Sequence, residues 1–80
     1  MASIRTVYTD IHFIRRSADA WLCGNAADGE VIGEIWWHPP LGKWCFSPAA
    51  RTIYTKGCLA NIAHFISQIS VGIFAAEKGE

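Results

Sequence analysis

Residues 20–37, AWLCGNAADGEVIGEIWW, decide the fold. Two apolar runs flank Asp28-Gly29, and Asp-Gly between such runs favours a tight hairpin because both central residues can take positive φ. A two-residue turn there pairs Asn25 with Ile32, Cys23 with Glu34 and Trp21 with Trp36. Opposed residues of an antiparallel pair share a face. This register predicts Trp21, Cys23, Ile32, Glu34 and Trp36 on one side of the sheet. Leu22, Val31, Gly33, Ile35 and Trp37 fall on the other. A three-residue turn would exchange the faces, putting Trp21 and Trp36 inside and Trp37 outside.

Reading outward from the hairpin, His38-Pro39-Pro40-Leu41-Gly42 cannot continue the third strand, since two prolines remove donors and fix φ. KWCF returns as a fourth strand. Pairing Trp37 with Trp44 across that loop adds Trp44 and Phe46 to the face of Ile35 and Trp37. Upstream, SIRTVYTDIHFIRR is rich in β-branched and aromatic residues and reads as a long first strand. Its alternation is imperfect, so it either carries a bulge near Thr9 and Asp10 or breaks there. Ser17-Ala18-Asp19 is a turn. The expected strands are about 3–16, 20–25, 30–37 and 43–47.

The last element is a helix over about 56–74. Thr55 is its expected N-cap, and Tyr54 and Leu59 have the spacing of a hydrophobic staple. Leu59, Ile62, Phe65, Ile66, Ile69 and Ile73 form an apolar stripe at helical spacing, with Cys58 on its edge. Asn61, His64 and Gln68 fall opposite, where His64 is expected to be solvated. The tail AAEKGE is expected to fray. Together these elements predict an α+β fold: an antiparallel three- to four-stranded meander with one C-terminal helix packed on one face, a single domain over 1–80.

The apolar face that meets the helix gives an expected core of Leu22, Val31, Ile35, Trp37, Trp44, Phe46, Leu59, Ile62, Ile66 and Ile69. One helix covers one face of a small sheet. The other face is left with a Trp21–Trp36 cross-strand pair, flanked by Cys23, Ile32 and Glu34. Such a pair stabilises a hairpin by about 0.2–1 kcal/mol. An exposed aromatic patch also marks a contact site, with tryptophan enriched at interface hot spots. The expected partner-binding residues are therefore Trp21 and Trp36, with Glu34 and Arg16 as polar rim.

Several function classes lose ground on composition and spacing. Seven basic residues balance seven acidic ones in 80 residues. A non-specific nucleic-acid binder normally carries a basic excess that displaces counterions. No run is long and apolar enough for a membrane span, and none has the form of a signal peptide. Three widely spaced cysteines, Cys23, Cys45 and Cys58, read as reduced thiols in a cytoplasmic protein. Zinc sites usually show a close ligand pair, whereas the nearest combinations here are His38 with Cys45 and Cys58 with His64. Neither pair carries the third group that would orient a nucleophile. Paired carboxylates and phosphate-binding glycine loops are missing, so no catalytic residues, metal or cofactor are expected.

The pattern GEIWW…KWCFSP…TKGCLANIAHFI resembles the short β-meander-plus-helix proteins encoded by bacteriophages and prophages, anti-CRISPR proteins among them. The resemblance covers roughly residues 30–70 and implies an interaction function, with no residue roles carried over. The expectation is a small non-enzymatic protein that binds a host protein through its aromatic sheet face, for example as a stoichiometric inhibitor, or that self-associates through the same face. The alternative is a sequence-specific DNA- or RNA-binding module in which Arg15, Arg16, Lys43 and Arg51 flank the open face.

Overall fold

The computed structural model describes the backbone of residues 4–78 and the side chains of residues 4–71. Four strands, β1 (Ile11–Ser17), β2 (Ala20–Asn25), β3 (Val31–His38) and β4 (Lys43–Pro48), form one antiparallel sheet in the order β1-β2-β3-β4. A single helix, α1 (Lys56–Lys78), packs across one face. The fold is the expected α+β meander plus helix. The helix runs on through Lys78, beyond the expected end at 74, so Ala75–Lys78 of the tail is helical backbone.

Both loops of the β2–β3–β4 meander are built alike. Asn25 N–H donates to Glu30 O at 2.8 Å, closing a four-residue loop in which Gly29 N–H donates to Asn25 O at 2.7 Å. In the next loop Gly42 N–H donates to His38 O at 2.8 Å. The fourth loop residue is glycine in each, at φ 76° for Gly29 and 62° for Gly42. Left-handed backbone there is what makes glycine the residue of choice. Asn25 Oδ1 and Asp28 Oδ1 hold the first loop by accepting from Ala27 N–H and Glu30 N–H. Asp28-Gly29 is thus the second half of a longer loop, and Asp28 has no positive φ.

A four-residue loop lengthens the turn by two residues, which by itself preserves which side chains share a face. The change comes from a bulge. Gly24 pairs with Val31 but Cys23 pairs with Gly33, leaving Ile32 as the extra residue. One unpaired residue reverses parity along the rest of the pair. Trp21 therefore lies opposite Ile35, and Leu22 lies opposite Glu34. The β3–β4 register is as expected, with Trp37 opposite Trp44 and Ile35 opposite Phe46. So β2 turns over relative to its neighbour, and Trp36 and Trp37 keep their expected sides. The bulge is anchored: the Ile32 carbonyl accepts from Ala49 N–H at 2.9 Å and from the Tyr54 hydroxyl.

This exchange rebuilds the core. Trp21 and Cys23 are buried, with Tyr8, Ile11, Phe13, Ile35, Trp44, Ile62, Phe65 and Ile69. Trp37, Phe46, Ile66 and Cys58 pack at its margin. Phe65 is the hub: it stacks on Phe13 at 4.0 Å between centroids and meets Trp21 edge-on at 4.9 Å. Three expected core residues lie elsewhere. Leu22 is half-buried on the opposite face, Val31 is 53% exposed beside the bulge, and Leu59 is 53% exposed on α1. Burying an indole and a thiol in place of Leu22 removes more apolar surface from water, which offsets the lost ladder bond at Ile32. Gly33 is required beneath Phe46, because a Cβ there would sit 2.6 Å from the ring.

The expected first strand breaks at Thr9-Asp10. Residues 4–10 fold back as an arm along β1, with Phe13 N–H donating to Thr6 O at 2.8 Å and Tyr8 N–H to Ile11 O at 2.9 Å. The polar flank of α1 grips this arm. Asn61 Oδ1 accepts from Asp10 N–H, and Gln68 accepts from Arg5 N–H at 2.9 Å while donating to Arg5 O at 3.0 Å. Asn61, His64 and Gln68 therefore form a binding edge for the arm, with His64 on the Tyr8 hydroxyl. Thr55 caps α1 as expected, its hydroxyl accepting from Cys58 N–H at 3.1 Å. Tyr54 packs edge-on against Phe46 at 5.5 Å. Ile73 of the expected stripe and Ser3 of the expected first strand lie outside the described side chains.

Candidate functional site

The sheet face opposite α1 gathers side chains from all four strands. β1 contributes His12, Ile14 and Arg16, and β2 contributes Ala20 and Leu22. Trp36 and Glu34 come from β3, and Cys45 and Ser47 from β4. Alternation along each strand and the pairing register place them together: Ile14 opposite Leu22, Leu22 opposite Glu34, and Trp36 between Ala20 and Cys45. Ile14 is 55% exposed and Val31 adds its own exposed surface at the bulge.

Three of the four expected binding residues are on this face, and two of them are bonded to each other. Arg16 Nη1 donates to Glu34 Oε2 at 2.7 Å, reaching across β2. An ion pair this exposed contributes about 0–1 kcal/mol to stability. Its main effect is on the field of the face: the Arg16 charge is matched locally by Glu34. Trp36 is half-buried, with its ring edge-on to His38 at 4.9 Å. Beside the ion pair a shallow groove of about 300 Å³ opens to solvent, lined by Leu22, Val31, Glu34, Ser47, Pro48 and Ala49 among others.

Trp21 is not part of this face. It is 7% exposed on the helix side, as the bulge at Ile32 dictates, and Arg15 covers its ring at 5.3 Å. Arg15 and Arg16 consequently point to opposite sides of the sheet. Cys23 follows Trp21 inward, and burial pushes its thiol up to about 12, with the Glu34 carboxylate adding to the rise. A thiol held so firmly protonated is a packing group, not a nucleophile. Ile14, Leu22 and Cys45 take the places left by Trp21, Cys23 and Ile32. The signal for Ile14 was in the sequence: it stands two residues before Arg16 and so shares its face.

Among the described residues no three His, Cys, Asp or Glu side chains come together as metal ligands would, and no helix is long and apolar enough to cross a membrane. The three cysteines are free thiols. Neither family models, nor curated proteins, nor solved structures match this chain.

Proposed function

We infer that this chain is a small non-enzymatic binding protein that docks on another protein through the sheet face centred on Trp36. The observation that carries this reading is the composition of that face. Ile14, Leu22, Val31, Trp36 and Cys45 form an apolar surface, interrupted by one internally matched ion pair. An aromatic centre with a polar rim is the usual anatomy of a protein contact site. Phosphate recognition calls for cations free to meet the backbone, and Arg16 is engaged by Glu34. That favours protein over nucleic acid. A stoichiometric inhibitor or adaptor working in the reducing cytoplasm, of the kind small phage proteins provide, fits a chain of this size with three free thiols.

The test compares capture by tagged wild-type protein with capture by Trp36→Ala and Leu59→Ala, with and without nuclease. Leu59 is exposed on α1 and serves as the surface control. A protein recovered in stoichiometric amount by wild type and Leu59→Ala, lost at least tenfold with Trp36→Ala and insensitive to nuclease, supports the reading. Recovery that depends on nucleic acid, or that survives Trp36→Ala unchanged, overturns it.

A further inference from the structure

The arm over residues 4–10 is held by a hydrogen-bond set whose polarity can be assigned completely. Gln68 Oε1 accepts from Arg5 N–H, and this fixes the orientation of the amide. Gln68 Nε2 then spends its two hydrogens on Arg5 O at 3.0 Å and on the Tyr8 hydroxyl oxygen at 2.6 Å. The hydrogen of the Tyr8 hydroxyl has His64 Nδ1, at 2.6 Å, as its acceptor. All donors are matched only when His64 Nδ1 carries no proton, with the ring hydrogen on Nε2.

Protonating His64 turns that acceptor into a second donor aimed at the same oxygen. The Tyr8 hydroxyl hydrogen is then displaced from its acceptor, beside a residue that is otherwise buried in the core. Among the described residues no carboxylate faces the His64–Tyr8 pair to compensate. Arg5 on the arm stacks its guanidinium over the Tyr8 ring at 4.3 Å, adding positive charge. α1 has no charged side chain from Gly57 to Val71. From β1 the neighbour is Phe13, edge-on to Tyr8. The nearest carboxylate on the arm, Asp10, rests against Gly57, two helical turns from His64.

We propose that His64, Tyr8 and Gln68 form an acid-released latch, which holds the arm against α1 at neutral pH and frees residues 4–7 when the imidazole gains a proton. Histidine is the side chain whose charge ordinarily changes between pH 8 and 5. Release uncovers the β1 edge, where Thr6 O meets Phe13 N–H, and a bared edge is a site for strand addition.

The test is amide hydrogen exchange on the full chain by NMR, expressed as protection factors, alongside the assigned His64 ring signals. The reporters are the Arg5 and Phe13 amides, which donate to Gln68 Oε1 and Thr6 O. The Trp37 and Ala49 amides, which donate to Asp19 O and Ile32 O, report the sheet. Between pH 7.5 and 5 the arm amides should lose at least tenfold protection with the same midpoint as the His64 ring, while the sheet amides hold. In His64→Asn, which keeps an acceptor near the Nδ1 position but cannot gain the proton, that loss should disappear. Constant arm protection in the wild type overturns the proposal. So does a midpoint apart from that of His64, loss shared equally by the sheet amides, or persistence of the loss in His64→Asn.

Discussion

At the scale of single residues, Cys23 shows how one side chain's chemistry follows from a backbone event on the neighbouring strand. The bulge at Ile32 turns it inward, burial removes it from water, and the thiolate becomes costly. Its thiol, ordinarily near 9, is pushed up to about 12. Between those values the unfolded chain gives up the proton while the folded chain keeps it. The native state then binds more protons, so stability is intact below about pH 9 and declines above it, by at most about 1.4 kcal/mol per pH unit. Tyrosines and lysines titrate in the same window, so the comparison must be with Cys23→Ala. At pH 8 the wild type should be the more stable, because the variant leaves a cavity. Urea unfolding at pH 8, 9, 10 and 10.5 should show that advantage shrinking. An advantage constant across the series would mean the thiol is not desolvated as its position implies.

At the scale of elements, what was legible and what was not divide along a physical line. Strand and helix positions were readable because apolar runs, the Pro-Pro break and the Thr55 cap are local signals. The β3–β4 register was readable too, from the Trp37–Trp44 pairing across the Pro-Pro loop, but the β2–β3 register was not, since it depends on a loop length and a bulge that local propensity specifies weakly. Asp28-Gly29 looked like a complete turn, yet the informative feature was a glycine four residues after the strand end in both loops, Gly29 after Asn25 and Gly42 after His38. The bulge had a fainter trace in Gly24 and Gly33, small residues on either side of the irregularity. If the shared loop geometry is what sets the register, Gly29→Ala and Gly42→Ala should cost similar amounts. A Cβ at either site meets nothing within 4 Å. The penalty is therefore that of left-handed backbone, about 1–2 kcal/mol, and asparagine at either site should recover part of it. Thermal unfolding of the four variants measures this. A neutral alanine at Gly42 would show that its loop can close in another conformation.

For the molecule as a whole, the adjacent tryptophans Trp36 and Trp37 divide between the two faces, and the more distant Trp21 has the opposite fate from the one its neighbours suggested. The sheet has one covered side, where Phe65 of α1 collects Phe13 and Trp21, and one open side, where Trp36 stands among Ile14, Leu22 and Cys45. A protein of 80 residues has few large side chains with which to make its core. Leaving one tryptophan on the open side is therefore informative about what that side does. The two positions should separate stability from binding. Trp21→Ala removes a side chain that touches the helix hub and should cost about 3–5 kcal/mol, enough to leave much of the chain unfolded at 25 °C given the small total stability of such a domain. Trp36→Ala removes a half-buried cross-strand partner of Ala20 and Cys45 and should cost about 1 kcal/mol or less. Chemical denaturation monitored by far-UV circular dichroism distinguishes them directly. Equal losses would place both indoles in the stabilising core and remove the open face as a reason for keeping Trp36. A large gap leaves Trp36 with a contribution to stability too small to account for a half-buried tryptophan on the open face, which is the condition a docking residue has to meet.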